Sequence, residues 1–332
     1  MPKSRPGELY HYTGINGLKG IIESQTLWAT QYKYLSDVEE ITNFRNQLPN
    51  ILRPVLKTVF SLLNTEQRAI LLRAHGSIDK ALDEEPKNLS TAMYNATFFG
   101  TQDNPPFAEP YITSFCSVDK GDNRVADHGL LSQWRGYGIQ GGYAIIIDTD
   151  DLIQLFGEEG NKWAYSLLFG GDVVYSSATD QEMREEFVQH IDVMQENWEK
   201  AFRTGYHEGL GNMFQAFAAC ACRYKHWGFA EEKEFRLVAI PTPPQVVEVA
   251  RLEERIIPQK KPVSHFLRNG IAVPYLNLFE GGVGAFGKRL PIKRIIIGPH
   301  PEKEKRKSAI ESLLNQNNIQ AQVTVSEIPY LG

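Results

Sequence analysis

Cysteine is scarce: Cys116, Cys220 and Cys222 are the only three in 332 residues. So few thiols form no disulfide framework, so a hydrophobic core must hold the fold, and the usage suits a reducing cytoplasm. No apolar run approaches the ~20 residues that a membrane-spanning helix needs. The opening Met-Pro-Lys-Ser-Arg-Pro-Gly is charged but no apolar stretch follows it, so no signal peptide is expected. Excess positive charge is also missing. With 35 Lys and Arg against 40 Asp and Glu, the net charge of -5 predicts a soluble protein with no global attraction to nucleic acid or to an acidic membrane. The basic stretches 251–268 and 288–307 also contain glutamates and read as solvated faces.

Motifs that would fix a chemistry at once are absent too. There is no Walker loop, no Gly-x-Gly-x-x-Gly after a strand and no Gly-x-Ser-x-Gly. The glycine-rich stretch 281–287 lacks a strand-to-helix setting, and Lys288 sits in the wrong place for a phosphate loop. It is expected to be a flexible loop. Cys220-x-Cys222-x-x-x-His226 has no second ligand pair, and the two cysteines fall on different sides of a helix. Buried thiols are expected there, and no metal site.

What is present reads as α+β. Hydrophobic residues make up 42% and charged residues 23%, an ordinary globular balance. Strand patterns fall at 8–13, 26–30, 111–118, 143–148, 170–175, 246–249, 271–274, 292–298 and 321–328. Helical patterns fall at 15–22, from Ser36 to about Asn95, at 130–137, from Thr179 onward, at 212–224 and at 301–315. Pro54 is expected to break or kink the second helix, and His75-Gly76-Ser77 to divide it. The polar segment 119–129 reads as a mobile loop. Strands and helical blocks do not alternate as in a βαβ fold, so one elaborated domain over 1–332 is expected, with helical insertions at about 37–100 and 179–226.

The stretch Trp227-Gly228-Phe229-Ala230-Glu231-Glu232-Lys233-Glu234-Phe235-Arg236-Leu237-Val238 stands out. Its second half alternates, with Phe235, Leu237 and Ala239 on one side and Glu232, Glu234 and Arg236 on the other. Two carboxylates on one strand face repel, so a cation or a ligand must compensate them. Arg236 bridging both would make the cluster structural; a ligand would make it a site. His11, between Tyr10 and Tyr12 on the first strand, is the other residue of interest.

The ordered set Leu9-Tyr10-His11-Tyr12-Thr13, Leu27-Trp28-Ala29, Leu35-Ser36-Asp37-Val38-Glu39-Glu40, Phe115-Cys116-Ser117, Ser132-Gln133-Trp134-x-x-Tyr137, Glu232-Lys233-Glu234-Phe235-Arg236 and Ile296-Ile297-Gly298-Pro299 resembles a prokaryotic family catalogued as domain of unknown function 2971. More distantly, an early His-Tyr-Thr strand and a late glutamate strand are similar to the ADP-ribosyltransferases, including their DNA-targeting toxins and RNA 2'-phosphotransferases. That resemblance implies a split mixed β-sheet and an NAD-consuming transferase, a bacterial toxin or phage-defence effector.

By the same resemblance, His11 would grip NAD with Thr13 assisting, and Glu234 or Glu232 would stabilise the cation that develops as the nicotinamide–ribose bond breaks. Tyr12, Trp28 or Trp134 would stack on its rings, and Arg135 or Arg236 would pair with its pyrophosphate. Tyr137, Ser117 and Ser132 complete the expected lining, with Ser114, Ser117 and Ser132 competing for the middle strand of the transferase pattern. The acceptor would be RNA, DNA or protein, and a toxin would need an antitoxin partner. Two other readings stand beside it. One is a nucleotide- or partner-binding module without turnover. The other is a nuclease holding a metal among Glu232, Glu234 and Asp37, for which no recognised carboxylate spacing is present. The transferase reading requires His11 and Glu234 to face one cleft.

Overall fold

The computed structural model describes residues 5–35, 39–100, 106–137, 141–176, 180–204, 210–253, 258–281 and 289–329. The chain opens with strand β1 (Glu8–Thr13), helix α1 (Ile15–Ser24) and strand β2 (Leu27–Gln31). Three helices follow, α2 (Glu39–Ser61), α3 (Thr65–His75) and α4 (Ile78–Phe98), before strand β3 (Tyr111–Ser117). Next come α5 (Asn123–His128), α6 (Leu131–Tyr137), β4 (Tyr143–Asp148), α7 (Thr149–Lys162), β5 (Tyr165–Asp172) and β6 (Val174–Tyr175). A second helical block, α8 (Asp180–Glu186), α9 (Val188–Thr204) and α10 (Leu210–Ala221), leads to β7 (Tyr224–Lys225) and β8 (Glu234–Pro241). The chain ends with α11 (Pro244–Leu252), β9 (Val263–Arg268), β10 (Ile271–Leu278), β11 (Ile292–Ile297), α12 (Lys303–Gln316) and β12 (Gln322–Val325).

The fold is α+β around one mixed sheet, in the order β12-β11-β4-β1-β3-β2-β10-β9, with β8 paired to β3 and β5 to β8. Only β11 and β12 run parallel among these pairs. Strand period two assigns the side chains to two faces. On the first face Leu9, Phe115, Ile145, Ile147, Phe235 and Leu237 pack against α1, α7 and α12 through residues such as Leu18, Leu152 and Ile310. On the second face two separate clusters form. Ile112, Val238 and Ile240 pack under the helical blocks with Phe44, Phe98 and Phe217. Tyr10, Tyr12, Cys116 and Ile146 pack under Trp134 and Leu130 of the α6 region.

Several local expectations are corrected. Helix α2 runs through Pro49 and Pro54. A proline inside a helix costs about 3 kcal/mol, but Pro54 is on the solvent side while Ile51, Leu52, Val55, Leu56 and Val59 form a buried stripe that holds the turns on either side. The segment 119–129 is not a bare loop, because α5 forms within it, capped by the Asp122 side chain accepting from the Val125 N–H. The residues 246–249 are helical, within α11, with Pro244 at the first position that tolerates its missing N–H. Ser36, Asp37, Thr179 and the stretch 282–288, each assigned a role above, lie outside the described residues. Cys116, Cys220 and Cys222 form no disulfide and are buried, as expected for Cys220 and Cys222. Among the described residues no helix is long and apolar enough to cross a membrane.

Candidate functional site

Strand β3 organises the centre of the sheet. One of its edges pairs along its length with β8, from Tyr111↔Ala239 to Cys116↔Glu234. The other edge is shared: β1 pairs at Tyr10↔Cys116 and Leu9↔Ser117, and β2 pairs at Thr30↔Ile112 and Gln31↔Tyr111. Between them the edge forks, and His11 fills the fork. Its Nδ1 donates to the Ser114 carbonyl at 3.1 Å and its ring lies 5.5 Å from that of Phe115. Burial lowers the His11 pKa, against the opposing pull of that carbonyl, so the ring is held neutral.

The second face carries the charged cluster. Arg236 binds Glu234 in bidentate fashion, Nε to Oε1 at 2.7 Å and Nη2 to Oε2 at 3.0 Å. Lys225 Nζ reaches Glu234 Oε2 at 2.9 Å and Glu232 Oε2 at 3.0 Å. The Arg236 Nη1 donates to the Cys222 carbonyl at 2.8 Å, and the Glu234 N–H donates to the Tyr175 hydroxyl at 2.8 Å. Burial would push the Glu234 carboxyl up, but Arg236, Lys225 and the Ser114 hydroxyl together outweigh it and hold it down at about 2. Glu234 is therefore a permanent, filled anion. Its side chain is 4% exposed against 22% for Glu232, so solvent reaches Glu232 alone of the two.

Glu232 does not extend the strand. It ends a 3-10 turn over Trp227–Glu232, and Lys233 then takes a left-handed conformation (φ 43°) before β8 begins at Glu234. The expected alternation of both glutamates along one strand is thus corrected. Like-charge repulsion is relieved by Lys225, which the sequence reading did not single out. Lys225 is placed by the short parallel pairing of β7 with β6, Tyr175 opposite Lys225, and packs 4.5 Å from the Phe229 ring centroid.

The registers separate the predicted residues. Tyr10 faces the same way as Cys116, and Cys116 the same way as Glu234. Tyr12 therefore shares the face of Glu234, while His11 and Thr13 point to the other. Thr13 Oγ1 occupies the space where Gly17 of α1 has no side chain, 2.0 Å from the position its Cβ would take. The required meeting of His11 and Glu234 in one cleft does not occur, because adjacent strand positions alternate. Tyr12 is committed to packing: its hydroxyl accepts from the Leu130 N–H at 2.9 Å and its ring meets Trp134 edge-on at 4.9 Å. Trp134 is itself buried, with its indole N–H on the His128 carbonyl at 2.9 Å, so neither ring is open to a ligand.

Other residues do converge on the second face. Ser114, opposite Arg236, is exposed at the centre of the sheet, between the two packed clusters. Tyr137, on α6, has an exposed side chain, and its pKa is raised by burial of the hydroxyl end and by the nearby Glu232 and Glu234 charges. Trp28 lies on the same face by its register with Asn277, on the far side of the fork. Ser117 does not join them: it faces the other way, as Leu9 does, and its hydroxyl donates to the Lys233 carbonyl at 2.8 Å. The Ser132 hydroxyl is buried and without a partner among the described residues, and Arg135 lies on the surface.

A mixed-sheet α+β protein results, with a buried carboxylate–lysine–arginine cluster whose Glu232 reaches solvent. Residues 133–237 match the family described as "Protein of unknown function (DUF2971)". The match contains Tyr137, Lys225, Glu232, Glu234 and Arg236, the whole charged cluster. No curated protein and no solved structure matches the chain.

Proposed function

We propose that the chain is an NAD-consuming ADP-ribosyltransferase whose working carboxylate is Glu232. The site built on the His11–Glu234 pair is abandoned, because the two side chains lie on opposite faces of the sheet, and this reading rests on Glu232 instead. The observation that carries this reading is the solvent-reaching Glu232 fixed by a buried lysine. Breaking the nicotinamide–ribose bond leaves positive charge on the ribose, and a preoriented carboxylate is the group that stabilises it. Glu234 cannot take that part, since its oxygens already hold Arg236 and Lys225; it positions Lys225, which positions Glu232. Tyr137 offers a ring beside the carboxylate. The forked edge of β3 is consistent with the split sheet that the transferase resemblance implies. His11 has a positioning role there, holding the fork at Ser114.

The test is transfer of a labelled adenylate from NAD to cell lysate, RNA or DNA. Loss of label in Glu232→Gln supports the reading; full activity in that variant, or no NAD binding by calorimetry, ends it. NAD binding without nicotinamide release would instead identify a binding module. Of the carboxylates in the nuclease reading, Glu232 and Glu234 are held by Lys225 and Arg236, while Asp37 lies outside the described residues.

A further inference from the structure

Beyond the fork, the second face of β2, β10 and β9 carries an aromatic surface that the packing of the core does not use. Trp28 and Tyr275 lie with ring centroids 4.3 Å apart and planes 32° from parallel, and Phe266 sits 5.2 Å from Trp28. All three project to one side, since Tyr275 pairs with Thr30, Asn277 with Trp28 and Val273 with Phe266. Trp28 is 48% exposed. A large ring left this open on a sheet face, next to two others, is a surface for another flat group.

The charge around it selects the kind of group. On this face the described residues of the three strands include no carboxylate, in a chain that carries 40 acidic residues. The Arg268 guanidinium lies 6.0 Å from the Phe266 ring and donates to the Tyr34 carbonyl, which sets it at the edge of the aromatic patch. Rings for stacking beside a cation for the backbone are what single-stranded nucleic acid requires, and a duplex, with its bases already stacked, gains nothing from them.

We infer that the Trp28–Tyr275–Phe266 surface is a stacking platform for single-stranded nucleic acid, and that this strand is the acceptor of the proposed transfer. The second clause rests on the transferase reading; the first stands without it. Trp28, placed above among the NAD-binding residues, is thereby reassigned to the acceptor.

Fluorescence anisotropy with a short labelled single strand, as DNA and as RNA, and with the corresponding duplex tests the platform without NAD. Binding of a single strand in preference to the duplex is expected. Trp28→Ala should weaken it about tenfold or more, Trp28→Phe should retain most of it, and Arg268→Gln should reduce its salt dependence. Circular dichroism on each variant checks the fold. The platform is overturned if the duplex binds as well as both single strands, or if folded Trp28→Ala binds as wild type. It is also overturned if Trp28→Ala raises the KM for NAD while leaving oligonucleotide binding unchanged, which would give the rings to adenine. The DNA and RNA arms identify which strand is used. Glu232→Gln should lose nicotinamide release and keep strand binding, so failure of the platform and failure of the transferase give different results.

Discussion

Lys225 is the residue on which the charged cluster depends. It is buried, and its ammonium is the contact shared by Glu232 and Glu234. Removing one partner of a buried charge network leaves uncompensated charge and costs about 3–5 kcal/mol. Lys225→Met should lower unfolding stability by an amount of that order in a urea titration, more than Lys233→Met, whose exposed contact to Asp119 is of the surface kind. The anion it serves gives a pH signature. Glu234 is held at about 2 in the fold, against an ordinary 4.5. Its stabilisation is full above the ordinary value and is lost as pH falls from there through the folded value. Glu234→Gln should therefore be less stable than wild type at neutral pH, and the gap should close on acidification, as followed by stability measurements across pH 7 to 2. A constant gap would deny Glu234 its depressed pKa.

At the scale of elements, the fork in β3 makes His11 a strut. The carbonyl of Ser114 has no strand opposite it on that edge, and the imidazole N–H satisfies it. His11→Ala should cost about 0.5–1.5 kcal/mol, the net worth of one hydrogen bond that water can partly replace, and should lower transfer without abolishing it; His11→Asn, with a donor of similar reach, should recover part of both. Complete and fold-independent loss of activity in His11→Ala would make it a catalytic residue instead.

The same elements show what could be read from the chain. The continuous apolar run Tyr143–Asp148 reports a strand buried on both faces, whereas the alternation of Phe235, Leu237 and Ala239 with Glu234 and Arg236 gives the face of each side chain but not its burial, since both sets are buried. The importance of the Glu232–Glu234 stretch was legible as a repulsion needing a cation. Arg236 was legible as one partner and it does bind Glu234, though not Glu232; Lys225, which reaches both, was not, since it is one of 35 Lys and Arg and is brought in by a two-residue strand that no periodicity can reveal. The face of His11 was legible only relative to β3, since its relation to Glu234 passes through two strand registers. Helix α2 outlasts Pro54 because its buried stripe, assembled by packing from distant helices, outweighs a local penalty. Strand β9 was hidden within a charged stretch because only alternate residues of it are covered.

For the whole molecule, the layout explains where the site lies. The first face is covered by α1, α7 and α12. The second is divided between the helical blocks and the α6 region, and Ser114 stands exposed between them. The charged cluster lies in the family-matched stretch, but its floor does not. Residues 133–237 contain β4 without its neighbours β1 and β11, and part of β8 without β3. Unpaired strand edges and an uncovered hydrophobic face cannot be stable in water. A fragment of residues 133–237 should be unfolded or aggregated by circular dichroism and size-exclusion chromatography, while the full chain is monodisperse and folded. An independently folded fragment would show that the cluster needs no support from β1 and β3.

The central claim is that Glu232, held by Lys225, is the carboxylate that acts on NAD. It is tested most directly by nicotinamide release from NAD in wild type and Glu232→Gln measured side by side, both shown folded. The account predicts release by wild type and a loss of about a hundredfold or more in the variant, the scale on which removal of one preorganised electrostatic group acts. Equal rates in the two proteins, or no nicotinamide from wild type with an acceptor strand present, would contradict it.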